Sequence, residues 1–264
     1  MTGKIIYKGK KIYFRDKGNG PVIVMLHGFL ENMRMWDYFF KKLSEDFRVI
    51  TIDLPGSGKS EGLGRVHLME QMATVVNKVL KEREVKKCLM IGHSMGGYVT
   101  LAFAAKYPGK LKGFGLLHSH AMADTPEAKL NRNRAINLVA NNHGSFIMNF
   151  FPELFAPENV QSFQKEINTL YREAMDTSPK AIIAALEGMK YRTDKLEVLV
   201  KAKVPVLFIL GKKDKRIPFE NTLNQASLPA NSEIIVFDNV GHMAHIEARK
   251  KTLKAIEAFA KKVY

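Results

Sequence analysis

The chain is expected to fold as an α/β protein, with a mostly parallel central sheet, helices on both faces, and an all-helical stretch inserted into it. Three observations predict this. Apolar runs such as Val22–Leu26 and Val204–Leu210 lack polar alternation, as strands covered on both faces do. Segments with helical spacing of apolar residues alternate with such runs. That alternation lapses between residue 119 and about residue 200, where no convincing strand occurs, and then resumes.

Taken in order, Lys4–Tyr7 and Lys11–Arg15 predict a hairpin turning at Gly9. Val22–Leu26 predicts a strand, Met33–Leu43 a helix, Phe47–Ile52 a strand and Arg65–Lys81 a helix. Lys87–Ile91 is the next strand, and Met95–Lys106 a helix stopped by Pro108-Gly109. Leu111–Leu117 closes this half as a strand. Helical patterns then follow one another around Pro126–Ala140, Ser145–Phe151, Glu158–Met175 and Pro179–Met189. Strands Val204–Leu210 and Glu233–Phe237 and a helix over Ala244–Lys262 complete the chain. The expected division is a core of residues 1–118 and 201–264, interrupted by a helical cap over 119–200.

Composition narrows the class. With 264 residues, 46% hydrophobic and 25% charged, the chain can bury a large core. A single cysteine, Cys88, excludes an intramolecular disulfide, and its apolar neighbours predict a buried, inert thiol. The N-terminus lacks the continuous apolar core of a signal peptide, and no run of about 18 apolar residues predicts a membrane span. A cytoplasmic location is therefore expected. The net charge of +15 invites a nucleic-acid reading. The basic pairs, however, are scattered from Lys10-Lys11 to Lys261-Lys262, which predicts a solvated basic surface and no nucleic-acid partner.

The sharpest chemical signal is Gly92-His93-Ser94-Met95-Gly96, placed between an apolar strand and a helix. G-x-S-x-G in that setting is a nucleophile elbow, whose tight turn lifts the serine hydroxyl clear of the backbone. The helix that follows aims its first N–H groups at developing negative charge. A serine needs a base, and the base a carboxylate that orients it. Asp214, after the strand Val204–Leu210, and His242, after the last strand, follow in the order Ser, Asp, His. Asp238 reads as a turn residue, and His245 as a pocket or surface residue. The candidate oxyanion donors are the backbone N–H groups of Met95 and Phe29, the latter in the loop His27-Gly28-Phe29.

These features together resemble the α/β-hydrolase fold superfamily, specifically its serine, carboxylesterase-like branch with a helical cap. The His27-Gly28-Phe29 loop, Asp53–Ser60, the elbow at Ser94, the acid loop at Asp214 and Gly241-His242 with Glu247 occur in that family's order. The resemblance implies a small-molecule substrate; the sequence carries no sign of a metal or organic cofactor, so no cofactor and no metal are expected. It disfavours dehalogenase and epoxide-hydrolase activities, whose elbows carry Asp. It implies hydrolysis of a carboxylic ester through an acyl-enzyme. The same machinery on a lactone, an amide or a carbon–carbon bond, perhydrolysis, and a ligand receptor with slow turnover remain alternatives. An apolar acyl or alcohol part is expected. His27, Gly28, Met122, Phe146 and Phe150 are the pocket candidates, together with Phe29 and Met95.

Three further motifs carry weaker signals. Asp53–Ser60, DLPGSGKS, ends like a phosphate-binding P-loop, yet Asp53 stands where the first Gly is required and Pro55 removes a donor N–H. It reads instead as a loop supporting the active-site rim. His118 and His120 have ligand-like spacing but no evident third partner, so no metal is expected there. The basic run Lys129–Arg134 reads as the exposed face of a helix, with recruitment of an anionic substrate as the other possibility.

Overall fold

The computed structural model describes residues 1–264. β1 (Thr2–Tyr7) and β2 (Lys10–Lys17) form the opening hairpin, followed by β3 (Val22–Leu26), α1 (Asp37–Leu43) and β4 (Arg48–Ile52). Then come α2 (Met69–Glu82), β5 (Cys88–His93), α3 (Met95–Lys106) and β6 (Leu111–Leu117). Four helices without a strand follow: α4 (Pro126–Phe150), α5 (Gln164–Met175), α6 (Pro179–Lys190) and α7 (Leu196–Val200). The chain ends with β7 (Val206–Gly211), α8 (Phe219–Ala226), β8 (Ser232–Phe237), α9 (Ala244–Glu247) and α10 (Arg249–Val263). No helix is long and apolar enough to cross a membrane.

One eight-stranded sheet runs in the order β1-β2-β4-β3-β5-β6-β7-β8. β1 and β2 pair antiparallel, as do β2 and β4, and every pairing from β4 to β8 is parallel. Successive side chains of a strand point to opposite faces, and both faces here are apolar. In β3, Val24 and Leu26 join one buried cluster while Ile23 and Met25 join the other. β7 divides in the same way, with Val206, Phe208 and Leu210 against Leu207 and Ile209. The larger cluster packs under α2, α3 and the four-helix segment; the smaller lies against α1 and α10 through Trp36, Phe39, Ile256 and Phe259. Each large side chain buried this way contributes about 1.5–3 kcal/mol relative to an exposed one. Cys88 is buried, and burial pushes its thiol up to about 12.

Several elements differ from expectation. Helix α2 begins at Met69 because the chain before it is fastened as a loop. There the Leu63 N–H donates to His67 Nε2, and the His67 N–H to the Ala184 carbonyl. The two helical patterns around Pro126–Ala140 and Ser145–Phe151 join into α4 across a kink at Asn142 (φ −156°, ψ 81°), whose Oδ1 accepts from the Ser145 N–H. The last helix breaks at Ala248 (φ −129°), separating α9 from α10. α7 and α8 are too short to show a clear period in sequence.

Candidate active site

Strand β5 delivers Ser94 into a backbone conformation with φ 49° and ψ −114°. A residue with a side chain rarely adopts positive φ, so the turn must be held from outside. It is held by β6. The Ser94 N–H donates to the Leu117 carbonyl at 2.9 Å, and Ser119 Oγ donates to the Ser94 carbonyl at 2.8 Å. The flanking glycines leave no room for side chains. A Cβ on Gly92 would stand 2.3 Å from the Gly96 carbonyl oxygen, and one on Gly96 2.4 Å from that of Leu26. The elbow is thus pressed against both β3 and β6.

Asp214 and His242 come from the loops after β7 and β8 and meet below the cavity. His242 Nδ1 lies 2.7 Å from Asp214 Oδ2. The other carboxylate oxygen accepts the N–H groups of Arg216 (2.8 Å) and Ile217 (3.0 Å), which closes the turn after Asp214. Burial by itself would push the Asp214 carboxyl up. The neighbouring His242 and hydrogen bonds from His118 and His242 outweigh it and hold the group far below the usual carboxylate range. Asp238 is exposed and pairs with Lys212, away from this cluster.

Ser94 and His242 open on one cavity of about 440 Å³. Phe29, Met122, Phe146 and Phe150 line it, and the Phe29 ring meets those of Phe146 and Phe150 edge-on at 6.4 and 5.5 Å. Ser94 makes no side-chain bond to the helix it precedes. Met95 is the first residue of α3, so its N–H has no intrahelical partner. The Phe29 N–H has none within its own turn.

His27 and Gly28 do not line the cavity, contrary to expectation. His27 is fully buried, with Nε2 accepting from the Leu54 N–H at 2.9 Å, because its work is to tie this loop to the next one. Gly28 faces inward: a Cβ there would lie 2.4 Å from Glu31 Oε2 and 2.7 Å from His93 Nδ1. Met95 is buried and does not line the cavity either.

Asp53–Ser60 is a closed loop. Asp53 Oδ1 accepts from the Met33 N–H and Oδ2 from the Lys59 N–H, at 2.8 and 2.9 Å. The N–H that a P-loop would turn toward a phosphate is therefore occupied by Asp53 itself. Ser60 Oγ donates back to the Asp53 carbonyl at 2.7 Å.

A buried polar network that no local pattern announces lies beneath the elbow. Glu31 Oε2 accepts from the Gly28 N–H at 2.9 Å and lies 2.8 Å from His93 Nδ1. His93 Nε2 lies 3.0 Å from the His242 carbonyl oxygen. A carbonyl can only accept, so Nε2 carries a proton, and the ring bridges the His27-Gly28-Phe29 loop, through Glu31, to the His242 loop. Burial would lower His93, but the Glu31 charge and hydrogen bond prevail and raise it. Burial would likewise raise Glu31, yet His93 and His245 hold it well below its ordinary value. His245 is 2% exposed beside Glu31 and Trp36, neither on the surface nor in the cavity over Ser94, because α9 turns it inward. Of these residues only His93 lies in a sequence motif, as the second residue of the elbow pattern.

His118 is the other departure. It separates from His120 and instead finds partners in Asp214 and His242, with Nδ1 3.0 Å from Asp214 Oδ2. Burial pushes its imidazole down to about 4. His118, Asp214 and His242 form one compact group of metal-ligating atoms, and Glu31, His93 and His245 form another. In each, the shortest N···O separations, 2.7–3.0 Å, are those of direct hydrogen bonds. Two ligands of a tetrahedral zinc would stand about 3.3 Å apart. Both groups fit proton sharing better than a metal.

The four-helix segment reaches the His242 loop through its backbone. The Leu154 carbonyl accepts from the His242 N–H at 2.6 Å. Glu247 Oε2 accepts from the Ala156 N–H and from Asn159 Nδ2, at 2.9 and 2.8 Å, while Oε1 accepts from the Gly241 N–H at 3.0 Å.

A family model described as alpha/beta hydrolase fold matches residues 21–249. A solved thermophilic esterase from Thermogutta terrifontis, malate bound, superimposes with a TM-score of 0.94 and 30% identity, over 100% of this chain and 99% of that one. Among curated relatives, a 2-hydroxy-6-oxononadienedioate/2-hydroxy-6-oxononatrienedioate hydrolase of Escherichia coli (strain K12) is 24% identical, over 91% of this chain and 87% of its own. A dihydrolipoyllysine-residue acetyltransferase component of the acetoin cleaving system of Pseudomonas putida is 26% identical over 92% of this chain. The match spans 64% of that longer protein.

Proposed function

The chain belongs to the α/β-hydrolase fold family, and on that premise we propose that it is a serine hydrolase cleaving a small-molecule carboxylic ester. One observation carries the reading: Ser94 and His242 open on the same cavity, with His242 held by the buried Asp214 at 2.7 Å. Ser94 Oγ attacks the ester carbonyl carbon and its proton passes to His242 Nε2. Asp214 keeps Nδ1 as the protonated nitrogen and stabilises the imidazolium that forms. The N–H groups of Phe29 and Met95 receive the oxyanion. His242 then protonates the leaving alcohol. A water deprotonated by the same ring releases the acid and restores Ser94.

Residues 119–200 act as a cap over a core of 1–118 and 201–264, with α4 supplying Phe146 and Phe150 to the cavity. Hydrolysis of a carbon–carbon bond by the same three residues is the second reading, favoured by the name of the E. coli relative. A fluorophosphonate probe tests the main reading. It should label Ser94 stoichiometrically, and a nitrophenyl ester should be turned over. Ser94→Ala should lose both while melting at the wild-type temperature, with kcat lower by about 10⁶-fold. Near-normal ester turnover by that variant would overturn the assignment.

A further inference from the structure

The cavity over Ser94 has a cationic wall. Arg132 on α4, Arg192 after α6, and Lys215 and Arg216 after β7 line it, and Asp124 is its sole carboxylate. Arg192 is committed to the protein. Its Nη1 lies 2.5 Å from Asp124 Oδ1, its Nε donates to the Met122 carbonyl, and its guanidinium lies over the Tyr98 ring. Arg132 reaches Asp124 Oδ2 through Nε alone, at 3.0 Å, and its terminal nitrogens make no ion pair. Arg216 lies over the Phe150 ring at 5.0 Å and pairs with Glu153 through Nη2. Lys215 lines the cavity and makes no ion pair. Against these four cations stand two carboxylates, Asp124 in the cavity and Glu153 outside its lining, leaving two positive charges uncompensated.

The arrangement is also fixed in place. The Arg216 N–H is tied to Asp214 Oδ1 at 2.8 Å, so the arginine is rooted in the same turn as the proposed acid. Burial, opposed by Glu153 but reinforced by the nearby Arg132, holds Arg216 below its ordinary value. Arg132 and Arg216 line the same cavity, so an anion bound there can meet both guanidiniums and offset their like charge. The apolar rings of Phe29, Phe146 and Phe150 line the same cavity and suit a short hydrocarbon.

Resting on the serine-hydrolase reading, we propose that the substrate is an anionic ester whose carboxylate, set off from the scissile bond by a short apolar stretch, binds between Arg132 and Arg216. Half-esters of dicarboxylic acids and esters of hydroxy acids are the two members of that class. Its apolar part is then a spacer, not a fatty chain.

The test compares matched pairs. Mono-p-nitrophenyl glutarate against p-nitrophenyl pentanoate places the charge on the acyl side. 4-Acetoxybenzoate against its methyl ester places it on the alcohol side. The wild type should favour the charged member of at least one pair in kcat/KM by about tenfold or more, as a hydrogen-bonded ionic contact supplies. Arg132→Gln and Arg216→Gln should each reduce that ratio several-fold, and Arg216→Lys less than Arg216→Gln. No preference in either pair, or a ratio unmoved by both Gln variants, would overturn the proposal. If no ester is turned over, the esterase reading fails separately, and glutarate binding then decides. Glutarate should raise the melting temperature of the wild type in a concentration-dependent way and leave the double Gln variant unmoved. Equal shifts in the two proteins would overturn the anion site.

Discussion

His118 Nδ1 stands 3.0 Å from Asp214 Oδ2, the same oxygen that His242 Nδ1 reaches at 2.7 Å. One carboxylate oxygen thus serves two imidazoles, while its partner oxygen takes two backbone N–H groups. Burial keeps His118 neutral down to about pH 4, so it acts as a fixed donor and not as a second base. Its backbone, with φ 49°, bends the end of β6 as Ser94 bends the end of β5.

Removing that donor should loosen Asp214 without removing it. His118→Phe is expected to fold, since His118 Nε2 has no partner to lose. Its kcat should fall by ten- to roughly a hundredfold, the range of one hydrogen bond to a charged group, with KM little changed. His118→Asn, which can still donate, should recover part of the loss. Steady-state kinetics on a nitrophenyl ester would show this. An unchanged kcat in the Phe variant would mean that Asp214 needs no second donor.

Asp214→Asn isolates the charge. The amide oxygen can still accept from Arg216 and Ile217, so the turn should persist. His242 loses the anion that fixes its tautomer, and kcat should fall by about 10⁴-fold. Labelling of Ser94 by the fluorophosphonate should slow in parallel. Rapid labelling would show that the acid does not govern serine reactivity.

Glu31→Gln tests the network under the elbow. Gln keeps an acceptor for the Gly28 N–H but leaves His93 without its counter-charge. Breaking a buried pair of this kind costs about 3–5 kcal/mol. A drop in urea midpoint, with a fall in kcat as the Phe29 loop shifts, is the expected outcome. Wild-type stability and turnover in this variant would show that the pair holds nothing in place.

Stability should fall as the solution is acidified from pH 7 to 5. Burial pushes His67, His118 and His120 each down to about 4. Between about pH 6.5, the ordinary histidine value, and pH 4, the unfolded chain binds these protons and the native protein does not. Stability therefore rises with pH across that window. His93 acts oppositely: raised in the native state, it contributes most below about pH 6.5 and loses that contribution as pH rises through its native value. Burial also lowers His27 and His245, so five groups against one predict a lower urea midpoint at pH 5 than at pH 7. Below about pH 4 the lowered carboxyls of Glu31 and Asp214 add to the loss. A midpoint that climbs on acidification would contradict the neutral state of the five histidines.

The parts legible in the sequence were those governed by local rules. β3 and β6 stand where their apolar runs ended, and the elbow glycines announced a close backbone approach. Asp214 and His242 were legible because strand ends in a parallel sheet share one edge. What could not be read depends on distances across the fold. Nothing local says that His118 leaves His120 for Asp214, that Glu31 reaches His93 across 62 positions, or that Arg132 and Arg216 line one cavity. Period alone likewise missed α8 and the break at Ala248, since short helices are decided by packing.

The bond from the His242 N–H to the Leu154 carbonyl divides the molecule in a way useful to an engineer. A graft that exchanges α4 changes Arg132, Phe146 and Phe150, and so the shape and charge of the cavity. A graft that also replaces Leu154–Asn159 loses the Asn159 side-chain bond and must reproduce the backbone path that brings the Leu154 carbonyl and the Ala156 N–H to residues 242 and 247. The exchangeable module is thus narrower than the four-helix segment, and its seam lies just after Phe151.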